Sequence, residues 1–319
     1  MLSRVADSIY WMGRYLERAE HTARVIDVHL NLMLDPSPRT SWLLWDRAAA
    51  ALRATITDPE KADAFAYARA LSFDPKNPDS ILSCLAASRE NARQVRELIS
   101  SEMWEQQNRL YLQVRRAADE NIFEGQPQEF FQSVKEGVQL FMGITDATLG
   151  RNEAYQFLEV GRHVERAGST AAIVDVYLGE LSSISDAIED PADPLDWIGL
   201  LRCCTAFEAY CKVYTADLRA SRIAEFLLLN AEFPRSARYA VDRVQACLQT
   251  IGAATDNRRA VRLNHLAGRL RAALDYAQID ELVGRGLRGC LEDIQTQCAQ
   301  IHDALHQYYI IYAIESTIE

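Results

Sequence analysis

Arg14, Glu17, Arg18 and His21 stand where a helix would set them on one stripe, and Arg162, Glu165 and Arg166 repeat the arrangement later in the chain. Arginine forks at this spacing can grip a carboxylate or phosphate through paired N–H···O bonds. A glutamate among them can act as a general base beside groups that stabilise a developing oxyanion. Glu17 and Glu165 are therefore the candidate catalytic residues. Arg14, Arg18, Arg162, Arg166 and His21 are the candidate anion-binding ones.

The helix that must carry the first set has an apolar side made by Met12, Leu16, Ala19, Ala23, Ile26 and Leu30. A solvated opposite side would be polar throughout, yet Tyr10, Trp11, Val25 and Val28 share it with the charges. In the second copy Ile173 and Val176 flank the charges in the same way. The pattern predicts helices covered on both sides, with the charges in a partly buried layer. Each copy has two arginines and one glutamate, about one uncompensated positive charge. Two readings stay open. In one, Arg14–Glu17 and Arg18–Glu17 pairs form a structural staple, with Asp27, Asp175 or glutamates of other helices absorbing the surplus. In the other, the surplus holds a carboxylate, phosphate or acyl phosphate.

A third charged stretch, S88-R-E-N-A-R-Q-V-R-E-L-I-S-S-E-M-W-E-Q-Q-N108, puts Arg89, Arg93 and Arg96 on one helical side with Glu97 beside them. Such a face is ordinarily solvated, but Asn91, Trp104 and Asn108 are less expected there, so Arg89 and Arg93 join the anion-binding candidates. His302 and His306 stand four apart, a spacing that can serve a metal, but the sequence offers no third ligand. A di-iron bundle would need Glu-x-x-His pairs, and Ser169 stands where a second His21 would be. No metal is expected. There is no phosphate loop, dinucleotide fingerprint, nucleophile elbow or Cys-His set, so no cofactor is expected in this chain.

Composition narrows the rest. Among 319 residues 49% are hydrophobic and 25% charged, an ordinary globular balance. A net charge of −11 disfavours nucleic acid as a partner. No apolar run approaches the ~18 residues of a membrane helix, and the amino end lacks a signal pattern. A soluble cytoplasmic protein with no membrane partner is expected. The seven cysteines, without a C-x-x-C pair, read as reduced core thiols. Only Lys61, Lys76, Lys135 and Lys212 are lysine, so nearly all positive charge is arginine.

The nine prolines fall in short polar breaks, and the text between them has helical period without strand alternation. An all-α chain follows, with helices near 2–33, 40–56, 60–71, 78–121 with a break near Ser100, 128–148, 151–183, 194–229 with a break near Ala216, 235–252, 257–275 and 288–317. Asp58-Pro59, Asn77-Pro78 and Asp193-Pro194 look like capped starts. G284-R-G-L-R-G289 follows no strand and reads as a turn between helices, and Y308-Y-I-I-Y-A-I314 reads as core.

Gly13, Arg14, Glu17, Arg18, Ala19, Thr22, Ala23, Asp27, Val28 and Leu30 recur 148 positions later, ten identities within eighteen residues. Trp42 and Arg47 match Trp197 and Arg202 at an offset of 155, and Pro78 and Ser80 match Pro234 and Ser236 at 156, which implies about seven added residues near Pro191. Duplication is the simplest account: a first half over 1–150 and a second over 151–319, packed about a pseudo-twofold axis as one cooperative helical bundle.

The opening L2-S-R-V-A-D-S-I-Y-W-M-G-R-Y-L-E-R-A, then R89-E-N-A-R93, S101-E-M-W-E-Q-Q-N108, G161-R-H-V-E-R-A167 and F226-L-L-L-N-A-E-F-P-R235 together resemble the bacterial Alpha-E domain family, all-helical and named for its Glu-Arg motif. The resemblance spans essentially the whole chain. It implies a setting beside, or fused to, a circularly permuted ATP-grasp protein, often with a transglutaminase-like protease. ATP-grasp enzymes activate a carboxylate as an acyl phosphate, so a role in ATP-dependent amide or peptide ligation is expected, with ATP and Mg belonging to the partner. Three functions remain open: a helical partner or co-catalytic component of such a ligase, whose arginine/glutamate cluster holds an anionic group; an independent enzyme of amide or acyl transfer with Glu17 or Glu165 as base; and a purely structural scaffold. Self-association into a homo-oligomer is left open too.

Overall fold

A computed structural model describes residues 3–33, 41–54, 64–119, 122–179, 194–215, 217–255 and 258–310. The described residues are helices and turns, with no strand among them. The first run comprises α1 (Ser3–Leu32), α2 (Ser41–Leu52), α3 (Ala64–Phe73), α4 (Ile81–Gln94), α5 (Ser101–Asp119), α6 (Ile122–Gly125) and α7 (Pro127–Thr148). The second comprises α8 (Glu153–Gly179), α9 (Pro194–Cys203), α10 (Phe207–Tyr214), α11 (Ala220–Leu229), α12 (Ala237–Thr255), α13 (Arg258–Asp275), α14 (Ile279–Arg285) and α15 (Leu287–Leu305), with a π-helical turn over His306–Ile310.

The two long motif helices, α1 and α8, lie against each other at the centre. Around them α4 and α7 pack on α1, while α12 and α15 pack on α8. Helix α2 crosses over to α8, and α9 crosses over to α1. Both motif helices are thus covered on several sides. Met12, Leu16, Ala19, Ala23 and Ile26 are buried, and so are Tyr10 and Val25 on the charged side.

α1 and α8 run in the same direction and in step. A Cβ on Gly13 would stand 2.4 Å from the Leu158 carbonyl oxygen, and one on Gly161 would stand 2.1 Å from that of Tyr10. Leu158 and Tyr10 are 148 residues apart, as are the glycines, so the approach is reciprocal. Further along, the Tyr177 hydroxyl meets His29 Nε2 at 3.2 Å, again 148 residues apart. Only hydrogen fits at the two glycines, and backbone meeting backbone there brings the charged residues of the next turns within reach of one another.

Local interactions explain where the helices start and break, both at the expected break near Ser100 and at boundaries that differ from expectation. The 78–121 stretch is two helices because Ser100 Oγ accepts from Met103 N at 3.1 Å, a side-chain cap that starts α5 afresh. Arg96 therefore lies past the end of α4, off the row of Arg89 and Arg93. Helix α4 starts from Ser80, whose Oγ accepts from Ser83 N, while Asn77 folds its amide oxygen onto Asp79 N in a tight turn. The 194–229 stretch is three helices, interrupted at Thr205 and Thr215, both with φ of 52°. Gly286, with φ of 92°, makes the expected turn between α14 and α15, though α14 itself was unforeseen. Asp58-Pro59, the added residues around Pro191 and the Ile311–Ile314 part of the carboxyl-terminal apolar run lie outside the described residues, as does Asp193, whose Pro194 begins α9 as expected.

Candidate functional site

The two motif glutamates take their arginines across the helix interface, not along their own helices. Glu165 accepts a two-pronged bond from Arg18, through Nε at 2.7 Å and the terminal nitrogen at 3.0 Å, and a further bond from Arg14 Nε at 2.7 Å. Reciprocally, Glu17 accepts a two-pronged bond from Arg166 at 2.7 and 2.6 Å, with Arg162 Nε 3.7 Å away. In each motif the second arginine forks onto the other motif's glutamate. The expected Arg14–Glu17 and Arg18–Glu17 pairs along α1 are thereby replaced by bonds to α8. Nor do the two aspartates absorb the surplus: Asp27 holds Lys135 at 2.7 Å, and Asp175 faces Arg288 at 4.0 Å.

Other elements complete the layer. On the Glu165 side, Arg18 also bonds Asp79 from the turn before α4, leaving Arg14 and Arg18 balanced by Glu165 and Asp79. On the Glu17 side, Arg235 from the turn before α12 donates to Glu17 at 3.2 Å and Glu20 at 2.5 Å. Glu20 also takes Arg24, and Glu159 takes Arg162 and the half-exposed Arg243. Five arginines there meet three carboxylates, so the positive surplus collects on this side. Arg235 was not among the residues singled out for chemistry. Its signal was present, since Pro234 and Ser236 match Pro78 and Ser80 at an offset of 156, the same offset that separates Arg235 from Asp79.

Burial raises the carboxyl pKa of both glutamates, but the guanidiniums outweigh it. Arg166, then Arg235 and Arg162, hold Glu17 well below the usual range, and Arg14 and Arg18 hold Glu165 at about 2. A carboxylate so saturated with donors is a weak base, which counts against a proton-abstracting role for either.

A cavity of about 210 Å³ opens beside the Glu165 side of the layer. Arg14, Arg18, His21, Ser169 and Glu165 line it, with Asp79 and His302. His21 is only 6% exposed, and its Nε2 has no hydrogen-bond partner. Burial, and then Arg235, push its pKa down to about 4, so the ring is neutral near pH 7. At the rim Arg53 ends α2 with φ of 53°, a backbone region that is strained for a non-glycine residue.

The remaining candidates lie elsewhere. Arg89 donates to Asn108 at 2.7 Å and rests against the Tyr111 and Trp104 rings. Arg93 forks onto Glu90 at an exposed surface. Neither lines the cavity. His302 Nδ1 meets the Tyr10 hydroxyl at 2.9 Å and His306 lies 3.7 Å from Asp7, within an aromatic group that includes Trp11. No group of three potential ligands gathers among the described residues. All seven cysteines are free thiols, and burial raises the pKa of those at 84, 203, 204, 247, 290 and 298.

Residues 1–310 match a family described as a predicted alpha-helical domain with a conserved ER motif. The chain belongs to the Alpha-E family. Glu17-Arg18 and Glu165-Arg166 are the two Glu-Arg steps of this Alpha-E chain, and they are the pairs that interlock between α1 and α8. An uncharacterized protein of Mycobacterium bovis is 23% identical over 95% of this chain, and so is one of Mycobacterium tuberculosis strain CDC 1551. A third, from strain H37Rv, is 22% identical. The Alpha-E chain covers 35% of the length of each of these relatives. No solved structure matches it. None of its described helices is long and apolar enough to cross a membrane.

Proposed function

We propose that this Alpha-E chain is the helical partner of a circularly permuted ATP-grasp amide or peptide ligase, and that the cavity at its first Glu-Arg motif holds an anionic group of the substrate or product. The observation that carries the binding part is His21: a buried, neutral imidazole whose Nε2 has no hydrogen-bond partner, on a residue that lines a cavity with Arg14. A buried polar atom without a partner costs about 1–3 kcal/mol, which a ligand bond would recover. ATP and Mg belong to the partner, since the chain has no phosphate-cradling motif. The relatives support a domain that works joined to other machinery, because they continue far beyond the matched region.

In this reading the charge layer divides its labour. Around Glu17 it is a staple, closed by Arg166 and Arg235; around Glu165 it is also the wall of a site. The halves 1–150 and 151–319 descend from one helical module whose copies pair through α1 and α8, and the working setting is the cytoplasm.

Reconstitution tests the proposal. The purified chain and an ATP-grasp partner encoded beside it, given ATP, Mg and a pool of amino acids, are expected to form an amide product only when both are present. Product formation by the isolated chain, or unchanged turnover by the partner when the chain is withheld, would refute it.

A further inference from the structure

We propose that the cavity is a monocarboxylate site: it takes one small carboxylic acid with a short apolar body and rejects phosphate-bearing ligands. The inference rests on the anion-binding reading above and narrows it.

Charge decides the first point. Arg18 is committed on all sides, with two bonds to Glu165 and one to Asp79. Arg14 gives Nε to Glu165 and only a long 3.5 Å contact to the Tyr10 hydroxyl from a terminal nitrogen. Arg14 and Arg18 thus cancel Glu165 and Asp79, and Arg53 at the rim leaves the wall one positive charge in excess. One negative charge balances that. A phosphate near neutral pH carries between one and two, about −1.5 to −2 for an ester, and the charge beyond the first would lie beside two carboxylates without a cation to meet it.

Geometry decides the second. The remaining donor edge of Arg14 suits a planar carboxylate. His21, on the same helix two turns on, lines the cavity as a neutral ring with an unpartnered Nε2, and its one N–H or one lone pair suits a single oxygen and not the three of a phosphate. The rest of the lining includes Leu52, Leu71, Val164 and Ala172, apolar groups that stand beside the polar Asn77 and Gln295. A cavity of about 150 Å³ accommodates benzene. The present one, at about 210 Å³, has room for a carboxylate with a branched aliphatic body.

One site per chain is expected, although the motif occurs twice. On the Glu17 side the Arg235 guanidinium, 156 positions after the cavity-lining Asp79, is buried against Glu17 and Glu20. Where His21 stands in the first copy, the second has Ser169, which faces the same cavity from α8.

The experiment uses the full chain with 13C-labelled histidine rings. It is titrated at constant ionic strength with isobutyrate, propionate, inorganic phosphate and sulfate, reading the His21 resonance, assigned by loss in His21→Gln, and calorimetric Kd. Isobutyrate is expected to shift that resonance saturably, at one per chain, with a Kd at least tenfold below that of phosphate. Arg14→Gln is expected to weaken isobutyrate at least tenfold while the protein still melts cooperatively, because Arg18 keeps Glu165 paired. Phosphate or sulfate binding at His21 as tightly as isobutyrate would overturn the monocarboxylate assignment and leave an anion site standing. Absence of a saturable His21 shift with all four probes would overturn both, and an unchanged isobutyrate Kd in a folded Arg14→Gln would remove Arg14 from the site.

Discussion

At the scale of single residues, the two arginines of each motif are unequal. Arg18 and Arg166 each bind a buried glutamate through two parallel bonds, whereas Arg14 binds through one and Arg162 stands at 3.7 Å. Arg18→Ala or Arg166→Ala should therefore lower the free energy of unfolding by about 3–5 kcal/mol, because a buried carboxylate loses its main partner. Arg14→Ala and Arg162→Ala should lower it much less, since each glutamate keeps its fork. Urea denaturation of the four variants checks the order, and equal losses across them would contradict it. Arg93→Ala, at an exposed pair, should leave the midpoint unchanged. The sequence made the buried layer legible through Tyr10, Val25 and Val28 beside the charges. It could not make the pairing legible. Arg14 and Glu17 lie three apart, a spacing that permits a bond within the helix, and only the approach of α8 supplies the competing partner that wins.

The elements meet as they do because two glycines let them. At Gly13 and Gly161 the obstacle to a Cβ is a backbone carbonyl, which cannot rotate away as a side chain can. Gly13→Ala or Gly161→Ala must push α1 and α8 apart, lengthening the crossed arginine bonds as well as opening the core. Each should cost at least the ~1–3 kcal/mol typical of overpacking. Gly143→Ala, on the exposed side of α7 with nothing within 4 Å of the added carbon, should instead stabilise by about 0.5–1 kcal/mol. Thermal melts of the three variants test the contrast, and a neutral Gly13→Ala would mean that the helices do not touch there. An offset of 148 marks which positions correspond, and it is silent on whether corresponding helices are neighbours. Helix existence and the breaks near Ser100 and Thr215 were legible, but the interruption at Thr205 depends on a left-handed residue that carries no apolar signature.

For the molecule as a whole, burying so many titratable groups between two helices ties stability to pH in two stages. His21 and His29 are pushed by burial from 6.5 to about 4, and burial holds His163 well below 6.5. Between those values the unfolded chain binds protons that the folded one refuses, so stability falls as pH drops from about 6.5 toward 4. The glutamates act lower down. Glu165, ordinarily near 4.5, is held at about 2 by Arg14 and Arg18, so its contribution is complete above 4.5 and is lost as pH falls toward 2. The unfolding free energy should therefore be level from about pH 8 to 7, decline through the histidine range, and decline again below about 4.5. His29→Gln should lessen the first decline and leave the second, since His29 hydrogen-bonds Val25 O and Tyr177 and none of the motif arginines. Denaturant titrations at a series of pH values read both stages. Stability unchanged between about pH 7 and 5 would mean that the histidines protonate in place, and hence that water or an acidic partner reaches the seam between α1 and α8.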